Sequence, residues 1–204
     1  MKILVVQDYL RSGGTERQAI LLANAFAAAG HATTLLTFRP GGPLAGTVDS
    51  RVTRLALQRI DLGLDWFAPG LRKAVSRIEP EVILCMGRMA NCYAGDLQKL
   101  LSRVGPHAAV VATMRTGKKL PRLYRRSLHR VRHVVANSRD ARDTLVRDHR
   151  ISSVRISVIH NSLVFPAEAA LPRNEACGTN RVRRRQPRCS CVWRCFAPKK
   201  INGN

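Results

Sequence analysis

The sequence predicts an α/β domain built on a doubly wound, mostly parallel sheet. Short apolar runs alternate with segments of helical periodicity over residues 2–162. The runs are apolar on both faces, which is typical of strands covered by helices on both sides. A length of 204 residues suits one domain with a small extension, and an apolar content of 45% is enough to form a core.

Seven short apolar runs are predicted to be strands. KILVV at 2–6 is the first of them, and VRISVIHNS at 154–162 is the last. The predicted strands, in chain order, are 2–6, 31–38, 50–57, 81–87, 107–114, 132–138 and 154–162.

Five segments between these strands are predicted to be helices. In the segment 15–30 apolar residues recur at helical spacing, and Gly30 is expected to end the helix. The segment 64–78 is predicted to be helical despite Pro69. The predicted helices are 15–30, 64–78, 89–104, 121–131 and 138–148.

Ligands of doubly wound sheets bind beyond the carboxyl ends of the strands. The loops expected at that edge are 7–15, 39–47, 86–91, 114–119 and 137–138.

The loop QDYLRSGGTERQ, residues 7–18, is the most informative of these segments. Gly13 and Gly14 allow close backbone approach, and Thr15 is expected to cap the following helix. A glycine-rich turn that leads into a helix can bind an anion or a sugar. The spacing matches neither the dinucleotide fingerprint nor the P-loop. A tight turn that binds nothing accounts for the glycines equally well.

Further candidate substrate-binding residues lie at the same predicted edge. Arg88 and Asn91 are placed at the start of another helix, and Arg115 follows the fifth strand. Asn137 and Asn161 lie at the ends of the last two predicted strands. A solvated loop arginine is an equally good interpretation of Arg115. The histidines show no metal-ligand grouping, so neither a metal nor a cofactor is expected.

Three stretches together resemble the N-terminal domain of a family-4 glycosyltransferase of the GT-B fold. They are MKILVV with SGGTERQAILLANAFAAAGHATTLLTF at the start, RHVVANSRDARDTLV at 132–146 and VRISVIHNSLVFP at 154–166. The resemblance implies an acceptor-side domain over 1–166, with Gly13, Gly14 and Thr15 near the donor phosphates.

The resemblance also implies a reaction and its partners. A nucleotide sugar would be the donor, and a polysaccharide, lipopolysaccharide or lipid-linked glycan would be the acceptor. Donor binding would need a second domain, so this chain alone is expected to transfer little or no sugar. No catalytic residue is assigned.

Two positions depart from the family pattern. Arg115 stands where the family often has a histidine, and an arginine cannot act as a general base, although it can hold a phosphate or carboxylate. The family's Pro-Asn-Gly is His-Asn-Ser here, in which Asn161 is the matching residue.

The chain is strongly basic, with a net charge of +22. The segment 118–133 combines a basic face with an apolar stripe of Leu120, Leu123 or Tyr124, Leu128 and Val131. We expect a helix packed through its stripe, with weak docking of its basic face on an anionic inner-membrane surface. Specific nucleic-acid binding is not expected, because no aromatic residues alternate with the charges.

A cytoplasmic location is expected, with peripheral contact to the inner face of the membrane. Cys85 and Cys92 lie in apolar surroundings, as reduced cytosolic cysteines do. No signal peptide or membrane span is predicted.

The last part of the sequence is unlike the rest. A linker is expected at 167–176. The segment 177–204 has eight Lys/Arg, four Cys and no acidic residue. It is interpreted first as a frame-shifted remnant of the donor-binding domain, and second as a disordered basic tail. A zinc or nucleic-acid module ranks third, because C-x-C-x-x-x-C lacks the usual ligand pairs.

The alternative for the whole chain is non-enzymatic. It is a lone Rossmann-like domain that binds an anionic partner, either nucleic acid or a membrane surface, through the basic helix and tail.

Overall fold

The computed structural model of the chain describes residues 1–103, 108–115 and 120–161. The predicted linker at 167–176, the segment 177–204 and the start of the basic segment at 118–119 lie outside these residues. Residues 1–160 form one compact unit, which contains every element described below.

The described residues form one seven-stranded sheet in which every pairing is parallel. The strand order is β3-β2-β1-β4-β5-β6-β7. The strands are β1 (Lys2–Gln7), β2 (Ala32–Thr37), β3 (Thr53–Ala56), β4 (Val82–Cys85), β5 (Ala109–Met114), β6 (His133–Ala136) and β7 (Ile156–Val158). The predicted fold class is therefore confirmed, and all seven predicted strands are present; β1 is one residue longer than predicted and the other six are shorter.

The helices of the described residues are α1 (Gly14–Ala28), α2 (Leu71–Ile78), α3 (Arg88–Leu101), α4 (Arg122–Arg130) and α5 (Arg139–Arg147). The prediction of a helix over 64–78 is wrong in its first half. Pro69 disfavours helical geometry at the residue before it, and Gly70 has a left-handed conformation with φ of 71°. The helix begins only after this glycine.

Both faces of the central strands are buried. Leu4 and Val6 of β1 belong to a core cluster that includes Leu71 of α2 and Leu97 of α3. Val5 is equally inaccessible and points to the opposite face of the sheet, where α1 packs on β1 and β2. The long apolar side chains thus explain why the sheet is covered on both sides.

The basic helix α4 packs mainly on α3. Leu120, Tyr124, Leu128 and Val131 are buried, while Leu123 is exposed. The Ser127 hydroxyl donates a hydrogen bond of 2.6 Å to the Cys92 carbonyl oxygen, which ties the two helices together. The apolar stripe of this helix is therefore used for packing, as predicted. Within the described part of the chain, no helix is long and apolar enough to cross a membrane.

Candidate functional site

The strand order reverses direction between β1 and β4. The chain runs outward from β1 to β3 and then crosses back to β4 on the other side of β1. The loops that follow β1 and β4 therefore diverge, and a crevice opens between them at the carboxyl edge of the sheet. Such a switch point is where ligands of doubly wound sheets bind.

A cavity of about 590 Å³ occupies this crevice. Its volume lies in the range typical of small-molecule sites. Three of the five predicted loops contribute to its lining, namely those after β1, β4 and β5. Its walls are Gln7, Asp8, Arg11, Thr15, Glu16, Asp65, Trp66, Met86, Gly87, Arg88, Met89, Thr113, Arg115 and Tyr124.

Asp8 lies at the base of the cavity and caps helix α3 from outside that helix. Its two carboxylate oxygens accept hydrogen bonds from the backbone N–H groups of Met89, at 2.9 Å, and Ala90, at 2.6 Å. The first N–H groups of α3 are thus already bound to an acid of the protein. A ligand phosphate at the start of α3 would have to compete with this carboxylate.

The electrostatic state of Asp8 reflects its burial. Desolvation raises the pKa of its carboxyl to about 6, although the hydrogen bonds from Met89 and Ala90 oppose the rise. The nearby carboxylates of Asp65 and Glu16 raise it further. The Asp8 carboxyl is therefore mostly ionised at neutral pH, although burial makes its charged form unfavourable.

Gly87 makes room for this carboxylate. A Cβ atom at this position would lie 2.3 Å from Asp8 Oδ1 and 2.8 Å from the Asp8 backbone nitrogen. No side chain fits at such distances, so the contact between β1 and α3 requires a glycine here.

Gln7, the last residue of β1, carries an unsatisfied polar atom and lines the site. It is 2% exposed and lines the cavity. Among the described residues its Oε1 is the buried side-chain oxygen that lacks a hydrogen-bond partner. A buried acceptor of this kind is costly unless a donor reaches it, so it suggests a ligand that offers N–H or O–H groups.

The part of the cavity wall that contains Arg11 and Asp65 is held by ion pairs. Arg39 follows β2 and pairs with Asp61 at 2.7 Å and with Asp65 at 2.9 Å, and Arg11 pairs with Asp65 at 2.8 Å. The Arg39 guanidinium also lies 4.0 Å from the centre of the Tyr9 ring. This network fixes Asp65 at the rim of the cavity.

The charge of Asp65 is stabilised by the same contacts. Burial by itself would raise the pKa of its carboxyl, but the hydrogen bonds from Arg39 and Arg11 outweigh burial and lower it. Asp65 therefore presents a carboxylate to the cavity at neutral pH.

The predicted loop residues Gly13, Gly14 and Thr15 lie at the start of α1. Gly13 precedes the helix, and its carbonyl oxygen accepts a bond of 3.1 Å from the Arg17 N–H. The expectation that Thr15 caps α1 is wrong, because the first turn closes on Gly13 and leaves Thr15 inside the helix. Thr15 lines the cavity instead.

The other predicted site residues have different surroundings. Arg88 and Arg115 line the cavity. Burial lowers the pKa of Arg115. Asn91 is buried and binds backbone on both sides, since its Nδ2 donates to Gly87 O at 2.7 Å and its Oδ1 accepts from Thr113 N at 2.9 Å. It braces α3 against β5 and is not part of the cavity lining.

Asn137 follows β6, and its backbone N–H donates to the Met114 carbonyl oxygen at 3.2 Å. Asn161 is the last described residue. Substrate contact by either residue stays a prediction. The described residues contain no group of three or more His, Cys, Asp or Glu side chains arranged to hold a metal ion.

Several cavity residues were missed in the sequence analysis. Gln7, Asp8 and Glu16 lie within the quoted loop but match no motif, whereas Asp65 and Trp66 lie in a segment predicted to be helical. A polar pair directly after a fully buried strand, as in Gln7 and Asp8, is the signal that could have found the first two.

Comparison with known families agrees with the geometry. The family model described as Glycosyltransferase Family 4 matches residues 12–163, most of the chain. The chain belongs to glycosyltransferase family 4. The match includes every predicted site residue of this glycosyltransferase domain and confirms the resemblance found in its sequence.

Solved structures share the fold. A crystal structure of HepE from Anabaena in complex with UDP has a TM-score of 0.58 at 17% identity, over 80% of this chain and 44% of HepE. A glycosyltransferase from Rickettsia africae has a TM-score of 0.55 at 18% identity, over 78% of this chain and 42% of its own. An alpha-glucosyltransferase in complex with UDP and DNA has a TM-score of 0.51 at 12% identity, over 80% and 43% of the two chains.

This glycosyltransferase domain thus spans less than half the length of the solved structures it matches. None of the curated proteins matches its sequence.

Proposed function

We propose that the cavity between β1 and β4 binds the hydroxyl-rich acceptor of a glycosyl transfer. The observation that carries this proposal is Gln7, which lines the cavity and whose buried Oε1 lacks a hydrogen-bond donor. A neutral sugar offers O–H donors, whereas a phosphate that is fully ionised offers none.

The rest of the cavity supports the same ligand class. The carboxylates of Asp8, Glu16 and Asp65 are hydrogen-bond acceptors for hydroxyl groups. Trp66 adds an aromatic surface at the rim, on which the C–H face of a sugar ring can pack. Arg88 and Arg115 can donate to sugar oxygens or hold an acidic group of the acceptor.

The proposed donor is a nucleotide sugar. HepE has been solved with UDP and with UDP-glucose, and its likeness to this chain supports a donor of that class. In the proposed reaction an acceptor hydroxyl oxygen bonds to the anomeric carbon, while the bond from that carbon to the diphosphate breaks. The hydroxyl proton passes to the departing diphosphate or to a base.

Two finer features belong to the proposal. The acceptor is a glycan or lipid-linked glycan of the kind used in cell-envelope synthesis, reached at the cytoplasmic face of a membrane. Because GT-B enzymes bind the donor with a second domain, residues 1–204 alone transfer little or no sugar.

The ligand class can be tested on the full chain by saturation-transfer NMR. The probes are a panel of neutral mono- and disaccharides, with a single-stranded oligonucleotide as the polyanion. Saturation of at least one saccharide, unaffected by added salt, is the expected result. Binding of the oligonucleotide alone, weakened steeply by salt, would instead favour the non-enzymatic alternative.

A further inference from the structure

The segment between β3 and α2 exposes several large apolar side chains, while its amide and acidic side chains bind groups of the protein. We refer to residues 58–67 as the apolar loop. Ile60 is 74% exposed, Leu62 55% and Trp66 56%, and Leu64 and Phe67 are exposed as well. Five large apolar side chains within eight residues form a patch that a water-facing loop does not need.

The amide and acidic side chains of the apolar loop bind the protein itself. Asp61 and Asp65 pair with Arg39. Gln58 is buried, and its Nε2 donates to the carbonyl oxygens of Leu64, at 2.8 Å, and Phe67, at 2.7 Å. These contacts hold the loop on the protein, and its apolar side chains are left exposed to solvent.

Further bonds keep the loop in this shape. Asp61 accepts a hydrogen bond of 2.9 Å from the Gly63 N–H, and the Tyr93 hydroxyl donates to the Trp66 carbonyl oxygen at 2.6 Å. The exposure of Ile60 and Leu62 therefore belongs to an ordered loop with many internal bonds, and so it calls for a partner that covers it.

The patch lies next to the proposed acceptor site. Asp65 and Trp66 belong both to the apolar loop and to the wall of the cavity. Whatever covers the exposed side chains of the loop is consequently brought to the mouth of the cavity.

We propose that the apolar loop inserts into the interfacial region of an anionic lipid bilayer. Trp, Phe, Leu and Ile side chains are those that enter the boundary between headgroups and acyl chains. The net charge of +22 attracts an anionic surface and opposes contact between two copies of the chain. A bilayer is thus favoured over self-association.

This surface differs from the basic helix suggested by the sequence. Leu120, Tyr124 and Leu128 of the α4 stripe are buried in the protein, so that helix has charge but little apolar surface to insert. The inference rests on the proposed function for its use, since an acceptor held in the membrane would be presented beside the cavity.

Vesicle co-sedimentation of the full chain tests the proposal. Mixed phosphatidylcholine and phosphatidylglycerol vesicles are compared with vesicles of phosphatidylcholine alone. Ile60→Ser and Leu62→Ser should each weaken partitioning onto the mixed vesicles by roughly tenfold, because each removes a side chain that enters the interface. Both positions are exposed, so folding is retained, and a thermal melt by circular dichroism checks it.

Val154→Ser is the matched control. Val154 is 85% exposed but lies outside the apolar loop, and its replacement should leave partitioning unchanged. In a Trp193→Phe background, the emission of Trp66 should shift to shorter wavelength on binding the mixed vesicles.

Three results would overturn the proposal. They are no partitioning onto the mixed vesicles, equal partitioning of the Ile60 and Val154 variants, and a concentration-dependent dimer that Ile60→Ser abolishes. The vesicles contain no saccharide, so these results are independent of the sugar-binding test, and failure of one proposal is distinguishable from failure of the other.

Discussion

Replacement of Gly87 by alanine should separate β1 from the start of α3. The new Cβ would lie 2.3 Å from Asp8 Oδ1 and 2.5 Å from Asp8 Cγ, so the carboxylate must move away from the helix. The hydrogen bonds from Met89 and Ala90 to Asp8 would then be lost. A hydrogen bond to a charged group contributes about 1.5–3 kcal/mol, so loss of both should cost at least about 3 kcal/mol.

Urea denaturation of the full chain measures this cost. The midpoint temperature of thermal unfolding should fall by about 6–12 °C for a domain of this size. Gly14→Ala is the matched control. Gly14 is the first residue of α1, and a Cβ there meets no atom within 4 Å. Alanine at this position should leave stability unchanged or raise it by up to about 1 kcal/mol. A Gly87→Ala protein that unfolds within about 1 kcal/mol of wild type would refute the account of Asp8.

Three further predictions concern stability and the loop beside the cavity. Because burial raises the pKa of Asp8 from 3.8 to about 6, its contribution to stability is full below pH 3.8 and is lost as pH rises through about 6. The free energy of unfolding of wild type, measured relative to that of Asp8→Asn, should fall by up to about 3 kcal/mol between about pH 4 and about pH 7. A rise in this difference with pH would contradict a raised pKa of Asp8. Asn91→Ala should cost about 1–3 kcal/mol in urea denaturation, because it leaves the buried Thr113 N–H unpaired while Gly87 O keeps its bond from the backbone N–H of residue 91, and a loss below about 1 kcal/mol would contradict the bracing role. Arg39→Ala should speed amide hydrogen exchange across 61–67, because it removes the ion pairs with Asp61 and Asp65. Arg51→Ala, which breaks only the local pair with Asp49, should not change this exchange. Equal exchange rates in both variants would contradict the role of the Arg39 network.

The fold was largely predictable because its signals are local. The strands of a doubly wound sheet are short apolar runs, and KILVV was found within one residue of β1. The helix predicted at 138–148 begins where expected, since the Ser138 hydroxyl accepts a bond of 3.1 Å from the Ala141 N–H.

The apolar loop was mispredicted for a physical reason. Leu64, Trp66 and Phe67 have a spacing that a helix could use, but Pro69 and Gly70 delay α2 until Leu71. The loop is held by Arg39, which is distant from it in the sequence, and by its own Gln58, whose side chain binds backbone carbonyl groups of the loop. Such contacts leave no periodic signal.

The candidate site was only partly predictable. The rule that ligands bind beyond the carboxyl ends of the strands correctly predicted that Thr15, Arg88 and Arg115 lie at the cavity, because this rule depends only on strand order. The roles of Asp8 and Asn91 depend on side-chain geometry across two strands and a helix, which spacing in one sequence does not contain. The predictions for 162–204 concern residues that the structure does not describe.

The central claim is that the cavity binds a hydroxyl-rich acceptor through Gln7. The measurement that tests it most directly is the dissociation constant of the tightest-binding neutral saccharide for Gln7→Leu, beside Gln18→Leu, whose residue is not part of the cavity lining. Loss of one hydrogen bond in the cavity should weaken binding about tenfold in the Gln7 variant and leave the Gln18 variant like wild type. Equal dissociation constants for the Gln7 variant and wild type would contradict the claim.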